Sequence, residues 1–390
     1  MSIFHFLMKF TRIAASVIAA FRSGSPFAAV TALWPTNNEG KYVIEAEGIR
    51  LAFTRHGGAL ANLWIKDKDG KEIDIVLGFD TANEYLNSSR NPFLGGAIGR
   101  YASLISGASF ELDGVTYNTS GNSQANGKPL TTNGGEKGWG RESLNVVSHM
   151  KDSITFVIFD GPGKNGFPGV AVSSLTHTVT PYEWKIAYGV TPVRKTSPIS
   201  ISNQVFWNLD GFAKGSSKRV MDHALHLPFS GLRLDTNAYG IPTGDIKGNK
   251  KNSTYDFWSS PRPLAPGLRK PDTGYDDTFL ISRSQPYDWT MRPAATLASN
   301  HSGIKLDLYT DQEALHVLTW NEEDGTMQLK KGQGGTDVPQ YAAVSLQMQD
   351  WTDAVNHPEW QRDDKIFWGT DRLYVTYSTY KFSVNQTKGI

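Results

Sequence analysis

An all-β chain folded as a single large antiparallel domain is what this sequence predicts, and three observations carry it. Short apolar segments alternate with polar residues at the period of two that suits a half-buried strand. Gly, Pro and Asp-Gly signals punctuate these segments at short intervals. No stretch sustains helical apolar spacing for more than about two turns. With 390 residues the chain can bury a sizeable core, and large all-β folds run as one domain at this length.

Residues 1–32 read as a signal or targeting segment. Lys9 and Arg12 precede the apolar run Ile13–Phe21, and small residues follow at Ala28, Ala29 and Ala32. The run is too short to span a bilayer. Secretory entry is the expectation, with a cytoplasmic form as the alternative. Sequons at Asn87, Asn118, Asn252, Asn300 and Asn385 suit a chain that acquires N-glycans.

The β-domain is expected over 41–385. Val43-Ile44, Ile49–Phe53 and Leu60–Ile65 are apolar segments, and Lys68-Asp69-Gly70-Lys71 is a hairpin turn leading to a strand over Asp74–Phe79. Asn91–Gly138 is rich in glycines, which let a chain turn or let a ligand approach the backbone. Within it Asp113-Gly114 joins Ser109–Leu112 to Val115–Tyr117 as a hairpin. Ile154–Phe159, Val170–Val179, Trp184–Val190 and Ile199–Leu209 are rich in β-branched and aromatic residues. Ile304, Leu306 and Leu308 alternate with polar neighbours, and Leu373–Tyr380 alternates too. Gly/Pro-rich loops are expected at 160–169, 210–217 and 239–272.

Composition excludes several functions. Lys and Arg total 39 against 38 Asp and Glu, so no charge excess points to nucleic acid or an anionic membrane. There is no cysteine, hence no disulfide framework and no thiol nucleophile. The nine histidines show no metal-ligand spacing, and no phosphate or dinucleotide fingerprint occurs. No metal or organic cofactor is implied.

The order NPFLGGAIGRYA…LDGVTYN…TTNGGEKGW within Asn91–Trp139, with ANLWIKDKDGKEIDIVLGFD before it, SISNQVFWNLDG after it and YAAVSLQMQDW near the end, is specific. It resembles the aldose 1-epimerase (galactose mutarotase) family, in particular its secreted fungal branch, over roughly Tyr42 to Val384. The resemblance implies a β-supersandwich and a pocket that interconverts the anomers of a cyclic sugar. That reaction needs a base for the C1 hydroxyl and an acid for the ring oxygen. In the family a Glu is the base, a His the acid, and a second His, an Asn-Arg pair and an Asp hold the sugar.

At those positions this chain departs. Gln347 stands for the base and Gln204 for the acid. Asn133 replaces the second His, and Ser103-Leu104 replace Asn-Arg. Arg100 is kept in GRYA, and Asp276 survives in Gly274-Tyr275-Asp276, followed by Asp277. Amides keep hydrogen bonding and lose proton exchange near neutral pH. The expected catalytic set is therefore Asp276, Gln347 and Gln204. Expected ligand contacts are Asn133, Arg100, Ser103, Leu104, Asp277 and, as stacking rings, Trp139 and Trp207, for which core packing is the alternative. Alternation places Ser345, Gln347 and Gln349 on one face of a strand, which reads as either a cleft lining or a solvated face. Asp277 reads more readily as part of a solvated turn. Tyr101 and His56 are further proton donors, although His56 reads more readily as structural.

Three readings follow. The first is a repurposed isomerase, cyclase or lyase acting on a cyclic hemiacetal or other oxygenated small molecule, in secondary metabolism for example. The second is a residual aldose 1-epimerase working through Asp276. The third is a carbohydrate-binding protein without catalysis. In each the partner is a sugar or sugar-like small molecule.

Overall fold

The computed structural model describes residues 35–385 apart from 88–92, 213–217, 269–273, 323–324 and 326. The targeting segment at 1–32 lies outside the described residues, as does the side chain of Asn87. Among the described residues no helix is long and apolar enough to cross a membrane.

Strands run from Tyr42 to Val384, almost all paired antiparallel. A nine-stranded sheet has Val170–Thr180, Glu183–Val193, Tyr374–Val384 and Ile304–Thr310 as its centre. A six-stranded sheet orders its strands Phe206–Trp207, Val344–Gln349, Ala314–Thr319, Asp276–Leu280, Leu232–Thr236 and Pro242–Gly248. One face of each sheet enters a shared core. Trp184, Leu306, Tyr380 and Phe382 come from the first, and Phe279, Leu315, Val317, Leu346 and Met348 from the second. The chain is thus all-β and antiparallel, as the alternation predicts, and it is the sandwich that the resemblance implies. Ile304–Thr310 buries every second residue, as expected. Trp184 stacks on Tyr380 at 4.7 Å, and Trp207 packs on the same tyrosine at 5.4 Å.

The expected hairpin at Asp113-Gly114 is present: Leu112 pairs with Val115. Both turn residues take positive φ, 53° and 73°, as a two-residue turn between twisted strands requires.

Three expectations need correction. The segment after Lys71 forms a strand only over Glu72–Asp74, paired with Trp64–Lys66. Beyond it the chain changes partner: Leu77 N–H donates to Phe206 O, Asn208 N–H donates to Ile75 O and Val76 bridges Trp207, while the Asp74 carboxylate accepts the Leu63 and Val76 N–H groups and meets Lys330 Nζ at 2.7 Å. The loop expected over 239–272 contains the strand Pro242–Gly248, which pairs with Leu232–Thr236. It is a mostly exposed edge strand whose polar residues concealed it. Ile199–Leu209 is two short strands rather than one. Ser202–Asn203 pairs with Ala97–Ile98, and Phe206–Trp207 pairs with Val344–Ser345. The change of partner happens at Gln204, whose N–H donates to Gly96 O and whose carbonyl accepts from Gly95 N–H.

Candidate active site

The six-stranded sheet has two chemically different faces. Cross-strand partners share a face, and the register sets Thr278 beside His316 and His316 beside Gln347. Two residues along in one direction lie Asp276, Leu318 and Ser345, and in the other Leu280, Ala314 and Gln349. This face is the one turned away from Phe279, Val317 and Leu346 in the core. The polar face of Val344–Gln349 is therefore not solvated: Ser345, Gln347 and Gln349 are all buried.

Phe206 pairs with Ser345, and that register continued by two residues brings Gln204 toward Gln347. Asn133 Nδ2 donates to Gln204 Oε1 at 3.3 Å. Asn133 is held by its own backbone, whose N–H donates to Ser103 O at 2.7 Å. Both residues adopt left-handed φ, 51° and 60°, a strained choice for non-glycine residues that concentrates at functional sites. The Ser103 hydroxyl donates to Gln349 Oε1 at 2.9 Å. Leu104, half-buried, begins the strand Leu104–Ser106 beside it and pairs with Thr132. Asn133, Gln204, Gln347, Ser103 and Asp276, expected from the sequence, are thus gathered on and around one sheet face. The main chain of Gln347 belongs to the ladder with Ala314–Thr319, and its buried side chain makes no hydrogen bond to a described residue.

Asp276 is joined there by a residue the sequence reading missed. His316 Nε2 lies 2.9 Å from Asp276 Oδ1, and His316 Nδ1 lies 3.0 Å from the Thr278 hydroxyl. Asp276 is surrounded by protein, yet 65% of its side chain is open, the combination found on the wall of a recess. Burial pushes its acidity down, but the hydrogen bond and charge of His316 outweigh this and hold its pKa below the usual carboxylate value. His316 lies outside every motif that carries the family resemblance. The available signal was the alternation in Ala314–Thr319, which sets His316 apart from Leu315 and Val317.

Other candidates lie elsewhere. Arg100 is buried with its fork spent inside the protein: Nε donates to Asp160 Oδ2 at 3.0 Å, and the terminal nitrogens donate to Pro168 O, Ser197 Oγ and Asp160 O. Trp139 is buried and donates from Nε1 to the same Asp160 oxygen at 3.1 Å. Trp207 belongs to the central core. These three support the fold and do not face a ligand. Asp277 points to the opposite side of its strand, toward Arg233 at 4.0 Å, and burial raises its pKa. The Tyr101 hydroxyl is buried and accepts from Val355 N–H, with its pKa pushed well above the usual value by burial. His56 is bridged to Ser143, and burial together with Arg55 lowers its pKa. The sequon asparagines 118, 252, 300 and 385 are exposed.

Chemically, the site offers three amides and a hydroxyl that hold polar groups without exchanging protons, and one carboxylate–imidazole pair that can exchange them. Among the described residues no cluster of three metal-ligating side chains occurs.

Comparisons with known proteins bear on the family and the fold. The family model described as aldose 1-epimerase matches residues 40–366. "Epimerase FSL3" of Gibberella zeae is 51% identical, over 97% of this chain and 94% of that protein. A "probable aldose 1-epimerase" of Arthroderma benhamiae is 29% identical over 88% of this chain and 86% of its own length. Among solved structures, a GalM/aldose epimerase homologue from C. elegans superposes with a TM-score of 0.76 at 24% identity, covering 88% of this chain and 99% of the other. This last likeness speaks for the fold alone.

Proposed function

Since the chain belongs to the aldose 1-epimerase family, we propose that it is an epimerase-type isomerase of an uncharged, hydroxylated cyclic molecule such as a hexose or related hemiacetal. The observation that carries this is the 2.9 Å contact between His316 Nε2 and Asp276 Oδ1 next to Gln347. The open oxygen of Asp276 accepts the proton of the anomeric hydroxyl. As the ring C–O bond breaks, the Asp276–His316 pair returns a proton to the ring oxygen, leaving an aldehyde and a hydroxyl. Rotation of the aldehyde and reversal of these steps give the other anomer, with no net proton gained or lost. Asn133, Gln204 and Gln347 hold ring hydroxyls. The amides that replace the family's titrating groups therefore do not leave the site without proton chemistry. An uncharged substrate is favoured because Arg100, the cation expected at the site, is consumed by Asp160.

A second reading, isomerisation or cyclisation of an oxygenated ring that is not a free aldose, is supported by Gln204, Gln347, Asn133 and Leu104 at the family's sugar-handling positions. Proton NMR of freshly dissolved α-glucose and α-galactose separates the two. Acceleration that His316→Gln abolishes supports the first. Acceleration only by a chain carrying Asn133→His, Gln204→His and Gln347→Glu supports the second. Passage through a secretory compartment remains part of the proposal. The four exposed sequons support it, and a mobility shift on deglycosylation of the native protein tests it.

A further inference from the structure

We infer that Thr278, Thr352 and Gln349 are positioning residues that fix which nitrogen of His316 carries its proton. This rests on the reading of Asp276 and His316 given above. Four hydrogen bonds run from the rim of the site to the imidazole. The Ser103 hydroxyl donates to Gln349 Oε1 at 2.9 Å, and Gln349 Nε2 donates to Thr352 Oγ1 at 3.0 Å. The Thr352 and Thr278 hydroxyls are 2.8 Å apart, and Thr278 Oγ1 is 3.0 Å from His316 Nδ1.

A hydroxyl has one proton to give. Thr352 receives the Gln349 N–H, and in the polarity inferred here its own proton goes to Thr278. Thr278 then gives its proton to Nδ1. With Nδ1 accepting, the neutral ring carries its proton on Nε2, where it donates to Asp276 Oδ1 at 2.9 Å. Thr278, Gln349 and Thr352 are all buried, so water does not offer these three side chains another partner. The reversed polarity would set a bare Nε2 lone pair against the carboxylate. The chain thus keeps Oδ1 engaged and leaves Oδ2 for the substrate, as a carboxylate–histidine pair needs a third group to orient it.

The test is long-range proton–nitrogen NMR of the ¹⁵N-labelled full chain at pH 8, with His316 assigned by loss of its signals in His316→Gln. The same proteins are assayed with α-galactose across pH. We expect one tautomer, protonated on Nε2, in the unaltered protein. Thr278→Val should give mixed tautomers and a kcat lower by at least about tenfold with KM little changed. Thr278→Ser should restore both. A proton on Nδ1 in the unaltered protein overturns the inference, as does a single Nε2–H form that persists in Thr278→Val. Should Thr278→Val not fold, Thr352→Val reads the same chain. If the nitrogen signatures behave as expected while galactose is not turned over, the positioning role stands and the proposed reaction fails.

Discussion

His316 and Gln347 sit directly opposite each other on paired strands. The ring that can exchange a proton and the amide that cannot are therefore neighbours on one surface. The pairing sets His316, which no sequence motif singles out, between the motif positions Asp276 and Gln347.

If the pair works as proposed, His316→Gln and Asp276→Asn should each lower kcat/KM by about 10²- to 10⁴-fold. Asp276→Asn should not cost much more than about 1 kcal/mol of stability, since Asp276 is largely open. Anomer NMR and urea titration of the same preparations check both halves. Loss of activity with a matching loss of fold would remove His316 from the mechanism.

Arg100 behaves differently. Removing one partner of a buried, hydrogen-bonded ion pair leaves the other uncompensated, so Arg100→Met should cost roughly 3–5 kcal/mol. Asp160→Asn should destabilise in the same direction, because Trp139 Nε1 shares its carboxylate. Denaturant midpoints measure this. A variant that keeps its midpoint and loses ligand affinity would return Arg100 to the site.

Acid should loosen the core through His177. Both of its ring nitrogens lack partners among the described residues, it lies against Phe53 at 4.5 Å, and burial pushes its pKa down to about 3. The folded chain keeps this ring neutral while the unfolded chain protonates near the ordinary value of 6.5. Between those values the unfolded state binds more protons, so stability is full above 6.5 and falls with pH. By pH 4 the loss is on the order of 3 kcal/mol. His223, also buried and depressed to about 4, adds to it. His177→Phe should flatten the slope of unfolding free energy between pH 6.5 and 4, and an unchanged slope would exclude this source.

Gly134 follows Asn133 with φ +84°, and an added Cβ would collide with the carbonyl of Gly99. Gly134→Ala should therefore displace Asn133, cost about 1–3 kcal/mol in backbone strain alone, and raise KM for any ligand that Asn133 holds. Thermal unfolding and substrate titration together report both effects.

The fold was legible where local chemistry decides it. Asp113-Gly114 announces its own turn, and the alternation of Ile304–Thr310 announces a half-buried strand. The site was legible only in part. Motif matching located Gln204, Gln347 and Asn133, but a motif does not say where a side chain points. Arg100 found its partner 60 residues away, a pairing that no local pattern contains. Asp276 and Asp277 are adjacent in a strand, so period two already forbids a shared face. His316 gains meaning only once Ala314–Thr319 lies beside Asp276–Leu280, which is a fact of topology.

The main chain of Gln204 is fastened on both sides, to Gly95 and to Gly96, and these bonds do not involve its side chain. Position 204 therefore works as a socket. The fold holds the fitting, and the plug is exchangeable: an imidazole, an amide or another group of similar length can occupy it while the strands on either side keep their pairing. A chain built this way can change its reaction before it changes its shape.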